Sequence, residues 1–230
     1  MRDRQDRFWK NHYDDLATVA KPWLDYSNDR VQAQTFALAL EAAGSIQARR
    51  CLDFGCGFGL LSMALEALGA ATVCGVDQSA VIIDRNRQRN TSIEWILGQA
   101  RDIPQTVGYD LVFAVEVLQY LSFQETLREL WNRVAPGGRL VAVVPNRDCP
   151  LVQRPTERYE GHYWPPTGGE ISTGVLGLPE LAYWGMRGLR FAADQSIVPY
   201  DVTEWTDTPS LTGVPNRFVF VAGKHSSGRI

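Results

Sequence analysis

Residues 51–61 read Cys-Leu-Asp-Phe-Gly-Cys-Gly-Phe-Gly-Leu-Leu: an apolar stretch ending in Asp53, glycines at 55, 57 and 59, then the start of a helical pattern. Glycines packed that closely after a strand let the chain turn sharply and let a ligand approach the backbone with no Cβ in the way. The acid ahead of them selects the ligand's charge. A dinucleotide site sets its pyrophosphate at such a turn, against the positive end of the next helix, where a carboxylate at Asp53 would repel it. The dinucleotide spacing Gly-x-Gly-x-x-Gly would also need a glycine at position 60, which is Leu60. The run is therefore a turn that binds a cationic group, or a tight strand–helix junction that binds nothing.

The surrounding pattern gives the turn a setting. Apolar strands are predicted at 51–54, 72–76, 93–97, 110–115 and 139–144, with helices at 59–68, 79–89 and 123–134 and a loop at 98–108. Ser122 and Glu125 have the spacing of a capping box, and Pro136-Gly137-Gly138 turns the chain into the fifth strand. Helices at 3–20 and 29–44 precede them, joined by a bend at Lys21-Pro22-Trp23, with Gly44 closing the second. Such alternation predicts an α/β fold, a parallel sheet with helices on both faces and its ligand beyond the carboxyl ends of the strands. After Pro145 the period breaks. Residues 145–177 read as a loop or lid, 179–187 as a helix, 190–199 and 217–223 as two closing strands, and 225–230 as a disordered tail.

With its acid and Gly-x-Gly-x-Gly run, the chain resembles the class I SAM-dependent methyltransferases (SAM, S-adenosylmethionine), of the small-molecule type, over roughly residues 50–145. The resemblance implies a seven-stranded, mostly parallel sheet whose antiparallel last strand lies between the fifth and sixth. It implies one domain over 1–230: an N-terminal helical cap (1–45), a SAM-binding core (50–145) and a substrate-side lid (146–210). Asp53, Phe54, Gly55, Cys56, Gly57 and Gly59 would cradle the methionine part of SAM. Asp77, with Gln78 beside it, would accept the ribose hydroxyls, although an acid there also suits NAD sites and helix caps. Family members carry an acid for the adenine amino group where this chain has Gln99; its side-chain carbonyl could accept the same bond, and the backbone of Ala100 and Arg101 could read the ring edge. Asp102 reads as a loop cap and Asp110 as structural. Val115 and Glu116 would end the fourth strand close to the sulfonium, and S-adenosylhomocysteine (SAH) would be the product.

The acceptor is less legible. Where quinone-type relatives often carry a histidine, this chain has Gln119-Tyr120, and it lacks the Asn/Asp-Pro-Pro-Tyr/Phe run of enzymes that modify exocyclic or amide nitrogens. The missing run lowers nucleobase and amide acceptors, and oxygen is preferred over nitrogen, with natural-product, sugar or quinone-type acceptors in view; the missing histidine keeps N-methylation open, because an amine with a free lone pair needs no base. His162, in the lid, is a candidate general base, and Glu116 is the other catalytic candidate. His12, on the first helix, could lie over the cofactor. Gln119, Tyr120, Arg147, Tyr163 and Trp164 are candidate acceptor contacts; Tyr159, Trp184 and Trp205 offer further aromatic walls, and Arg154 and Arg158 further cations.

With 45% hydrophobic and 21% charged residues and a net charge of −3, the 230-residue chain has no basic stripe for a nucleic-acid backbone. The cationic stretch Arg85–Arg89 reads as a solvated helix face. Cys51, Cys56, Cys74 and Cys149 show no C-x-x-C spacing and read as buried free thiols without a metal site. No signal peptide or membrane span is expected, which suits a cytoplasmic monomer or homodimer acting on a small molecule. The rival readings are a tRNA or protein methyltransferase, and a SAM-binding regulatory protein without turnover.

Overall fold

The computed structural model describes residues 11, 29–89, 91–105, 108–149, 152, 162–189 and 215–226. The strands are β1 (Arg50–Phe54), β2 (Thr72–Asp77), β3 (Glu94–Leu97), β4 (Tyr109–Val115), β5 (Val134–Pro145), β6 (Leu181–Leu189) and β7 (Arg217–Lys224). The helices are α1 (Asp29–Ala43), α2 (Leu60–Ala67), α3 (Ala80–Arg87), α4 (Phe123–Trp131) and α5 (Gly168–Leu176). Among the described residues the strands form one seven-stranded sheet in the order β3-β2-β1-β4-β5-β7-β6. β1 to β5 pair in parallel, and β7 runs antiparallel between β5 and β6. The expected fold class is the one observed.

Period-two alternation explains the layering, because successive side chains in a strand point to opposite faces. Leu111, Phe113 and Val115 of β4 pack with Leu38 and Ala39 of α1, Leu61 and Leu65 of α2, and Ile83 of α3. Val112 and Ala114 pack the other way, against Leu127, Leu130 and Trp131 of α4 and Ile171 and Val175 of α5. Both faces of the central strands are thus buried, which is why they read as continuous apolar runs. Parallel strands place their carboxyl ends together: Phe54 of β1 pairs with Val76, Asp77 of β2 with Leu97, and Val115 of β4 with Val143.

Several local features differ from what the sequence predicts. Pro136-Gly137-Gly138 is a kink inside β5 rather than a turn before it: a Cβ at Gly138 would lie 2.9 Å from three backbone oxygens. Ser122 sits at the N-cap of α4, but its side chain makes no cap hydrogen bond. The expected helix at 179–187 is strand β6, and part of the expected loop is α5. That helix begins with a capping box, in which Thr167 Oγ1 accepts from Glu170 N and Glu170 Oε2 accepts from Thr167 N. His225 is held, its N–H donating to Glu180 O and its carbonyl accepting from Gly137 N, so residue 225 does not begin a free tail. The expected helix at 3–20 with His12, the bend at Lys21–Trp23, the strand at 190–199, and Arg154, Arg158, Tyr159 and Trp205 lie outside the described residues. All four cysteines are buried free thiols, and burial pushes those of Cys51 and Cys74 up to about 12.

Candidate active site

The carboxyl ends of β1, β2 and β4, with the loop after β3, surround a cleft of about 520 Å³. One half is lined by Asp77, Gln78, Gly98 and Gln99, the other by Phe54, Gly55, Glu116, Val117, Tyr120 and Leu121.

The glycine turn crosses the middle. Gly55, Gly57 and Gly59 have φ of 72°, 49° and 72°, a left-handed conformation that side chains disfavour. A Cβ at Gly55 would lie 2.3 Å from Val117 Cγ2, and one at Gly59 2.4 Å from the Trp95 ring. At Gly57 it would meet nothing within 4 Å, so that glycine faces open space. The turn's polar groups are sorted. The N–H groups of Gly55 and Cys56 donate to Val76 O, and Gly57 N donates to Asp77 Oδ2 at 3.0 Å. The Gly57 carbonyl accepts from Asn86 Nδ2 at 2.8 Å, and the Phe58 carbonyl accepts from the Arg89 guanidinium. Arg85 stacks over the Phe58 ring at 5.4 Å. Arg85, Arg87 and Gln88 are exposed, as expected of a solvated face, while buried Asn86 of α3 and half-buried Arg89 just beyond it hold the glycine turn.

Asp53 does not line the cleft. Its carboxyl is buried beneath the turn, where Ser62 Oγ donates to Oδ2 at 2.6 Å. Burial pushes it up to about 6; the Ser62 bond lowers it and the nearby Asp77 charge raises it. Among the described residues no cation pairs with it. Asp77 does line the cleft, and its Oδ1 accepts from Ser79 N at 3.0 Å; Ser79, not Asp77, caps α3. Gln99 Oε1 is buried without a hydrogen-bond partner, and Asp102 Oδ2 accepts from Gln99 N, the loop-cap role expected of it. Asp110 pairs with Arg50 at 3.0 Å at the start of β4, far from the cleft.

Most of the other candidates stand away from the cleft wall, Tyr120 excepted. Cys56, Val115 and Ala100 are buried in the core, and the carbonyls of Ala100 and Arg101 face Arg133 Nη2 at 3.4 and 3.5 Å. Gln119 is buried, its Oε1 without a partner and its carbonyl accepting from Trp164 N at 2.7 Å. Tyr120 lines the cleft and meets the Tyr163 ring at 5.6 Å, beside Cys149 and Val152. His162 precedes Tyr163 and is half-buried outside the cleft lining. Arg147, expected to meet an acceptor anion, is engaged elsewhere: Nη2 donates to both Glu170 carboxylate oxygens at 2.8 Å, and its guanidinium covers the Trp164 ring at 4.3 Å. Trp184, in β6, is half-buried against the core.

Glu116 sits at φ 54°, with its carboxylate 2.5 Å from Arg217 Nε. Burial lowers the Arg217 pKa, but Glu116 and the nearby Tyr163 and Tyr120 outweigh it and hold the guanidinium above its ordinary value. No local pattern in the chain points to Arg217. It reaches the site because an antiparallel β7 starts at the edge where β5 ends, Pro145 pairing with Arg217.

Residues 51–138 match the methyltransferase domain family. That match takes in the glycine turn and the strands around it, so this segment of the chain is a methyltransferase domain. Over 134 residues the chain is 33% identical to trans-aconitate 2-methyltransferase of Azoarcus sp. (strain BH72), covering 56% of the chain and 51% of that protein. It is 35% identical over 133 residues to ribosomal protein L11 methyltransferase of Xanthomonas campestris pv. campestris (strain 8004), covering 53% of the chain and 41% of that protein. The alignments thus span about half or less of these curated relatives. In fold it is similar to the N-methyltransferase NodS from Bradyrhizobium japonicum WM9 in complex with SAH: TM-score 0.66, 18% identity, 94% of this chain and 97% of that one.

The residues present fit the family's cofactor. A buried carboxylate lacks a cation, Gly57 opens onto free space, and Gln99 offers an unused acceptor at the cleft. Gly57→Ala separates binding from folding. Its left-handed φ costs about 1–2 kcal/mol with no clash added. Its methyl group would occupy the cofactor's space, so SAH affinity is expected to fall at least about tenfold by calorimetry, equivalent to about 1.4 kcal/mol. An unchanged dissociation constant would remove Gly57 from the cradle.

Proposed function

We propose that the chain is an enzyme that transfers the methyl group of SAM to a small-molecule acceptor, at oxygen in preference to nitrogen. The observation that carries the reading is the glycine turn, open at Gly57, beside the cleft-lining Asp77 carboxylate and over the buried Asp53 carboxylate, with which no cation among the described residues pairs; that negative field suits the α-ammonium of SAM. Phe54, Gly55 and Gly57 would hold the methionine part, Asp77 and Gln78 the ribose, and Gly98 and Gln99 the adenine amino group, in the order of β1, β2 and β3 across the sheet edge. SAM supplies a methyl on a cationic sulfur: as the acceptor's oxygen bonds to it, the carbon–sulfur pair stays on sulfur and the hydroxyl proton is released. The chain's part is to align the acceptor and exclude water. Glu116, Tyr120 and Tyr163 stand at the β4 end, and Gln119, Trp164 and His162 belong to the same acceptor-side segment.

Isothermal calorimetry with SAH, followed by product detection over hydroxylated, carboxylate and amine acceptors, tests this. Micromolar SAH binding and a methylated small molecule are expected. Failure to bind SAH sinks the reading, and binding without any product favours a regulatory SAM-binding protein. The L11 relative raises a second reading, a protein acceptor, for which a methylated polypeptide in cell extract would be the sign. The net charge of −3 and the absence of a basic stripe disfavour an RNA acceptor. No helix of the described residues is long and apolar enough to cross a membrane, and a reducing cytoplasm suits the four buried thiols.

A further inference from the structure

We propose that Arg217 is a positioning residue for methyl transfer: it fixes the Glu116 carboxylate at the β4 end of the cleft, where Glu116 accepts the hydrogen bond of the acceptor's hydroxyl. The inference rests on the SAM-dependent reading above and adds a residue from the far end of the chain.

Three observations carry it. Glu116 lines the cleft immediately after β4, opposite the half that holds Asp77 and Gln99. A ligand laid across the sheet edge with its adenine over β3 and its methionine over β1 brings its sulfur toward this end. Glu116 also holds a left-handed backbone, φ 54°, which a side-chain-bearing residue rarely adopts and which persists only when its surroundings enforce it. Its N–H donates to Val143 O at 2.8 Å, and its side chain is drawn onto Arg217. Finally, Arg217 stands behind the carboxylate rather than on the cleft wall, with about four-fifths of its side chain covered (18% exposed). It faces the Glu116 carboxylate and the phenols of Tyr120 and Tyr163. A guanidinium so placed cannot serve as a free anion receptor. It can hold one carboxylate oxygen, which restricts Glu116 to a single orientation and directs the rest of its acceptor capacity to the cleft.

A tie that merely fastened β7 to β4 would have the same geometry, so the test needs a readout that stability does not move. Sinefungin carries a primary amine where SAM carries the sulfonium methyl, and SAH carries neither. The ratio of their dissociation constants therefore reports a carboxylate at the transfer point. In the wild-type protein sinefungin is expected to bind about tenfold more tightly than SAH, the gain of one charge-assisted hydrogen bond. Glu116→Gln should bring the ratio close to one. Arg217→Met should lower it by about threefold or more, with SAH affinity held within about twofold, and Arg217→Lys should keep most of it. An equal ratio in wild type and Glu116→Gln overturns the placement of Glu116. A melting temperature that falls in Arg217→Met while the ratio stays at the wild-type value overturns the positioning role. Should Arg217→Met not fold, Arg217→Lys decides the same point: a ratio below the wild-type value supports the role, and one equal to wild type opposes it. Absence of SAH binding in the wild-type protein would instead strike the cofactor reading itself.

Discussion

Asp53→Asn is expected to make the ligand-free protein more stable and to abolish most of its affinity for SAH. The carboxyl is buried, bonded to Ser62, repelled by Asp77 and pushed up to about 6 from a usual 3.8. A group raised in this way contributes stability that is present below its unfolded value and lost as pH rises through about 6. At pH 7 the folded protein therefore carries a charge that the unfolded chain holds more easily. Two pH units at about 1.4 kcal/mol each put that cost at up to about 3 kcal/mol. Asparagine keeps an oxygen for the Ser62 hydroxyl and removes the charge. A melting temperature about 4–8 °C higher at pH 7 is expected, shrinking toward pH 4 as the wild-type carboxyl takes up its proton. SAH, whose ammonium would replace the missing cation, should bind about 100-fold more weakly to the variant. Its affinity for the wild-type protein should rise with pH between 5 and 7, with proton release measured by calorimetry in buffers of different ionisation heat. A variant that melts lower and binds SAH normally would show that Asp53 serves the fold rather than the ligand.

Gly59→Ala should be the most damaging methyl group that can be added to the turn's far side. Gly59 is the N-cap of α2 with φ 72°, and the new Cβ would lie 2.4 Å from the Trp95 ring tip and 3.2 Å from Arg89 Nη1. Left-handed strain of about 1–2 kcal/mol adds to overpacking of about 1–3 kcal/mol, so a loss of about 2–5 kcal/mol is expected in urea unfolding. Trp95→Leu shortens the obstructing side chain at its own cost of about 2–3 kcal/mol of core packing. The pair should be less destabilised than the sum of the singles by about 1–2 kcal/mol, because the clash exists only when both large groups are present. Additivity within about 0.5 kcal/mol would mean that strain in the backbone, and not the indole, demands the glycine.

How far the sequence could be read depends on where the physical signal sits. β1 to β5 and the helices among them were legible because apolar runs buried on both faces, punctuated by Gly and Ser caps, are local patterns. Asp53 and the three glycines were legible for the same reason. Beyond Pro145 the local signals conflict. Gly168, Gly169 and Gly174 are poor helix formers, yet α5 exists because its capping box and the Arg147–Glu170 pair secure its first turn. The Thr167-x-x-Glu170 spacing after two prolines was the one visible sign. Pro179-Glu180 imitates a helix start, but Glu180 has φ 55° and the chain turns there into β6, whose Tyr, Trp and Met suit a strand better than Gly185 and Gly188 suit a helix. The pairing of Glu116 with Arg217 joins residues 101 positions apart and could follow only from the topology. Arg147 looked free because nothing in its neighbourhood along the chain announces a partner 23 residues away.

The hold of α3 on the glycine turn bears on how a ligand would be met. Asn86 of α3 and Arg89 just beyond it take up the carbonyls of Gly57 and Phe58, so neither peptide can rotate without breaking one of these bonds. The turn's conformational freedom is surrendered when the chain folds, and little is left to lose when a molecule arrives. Recognition at this edge is therefore closer to docking on a finished surface than to wrapping by a loop, and α3, which never touches the cleft, keeps that surface in shape.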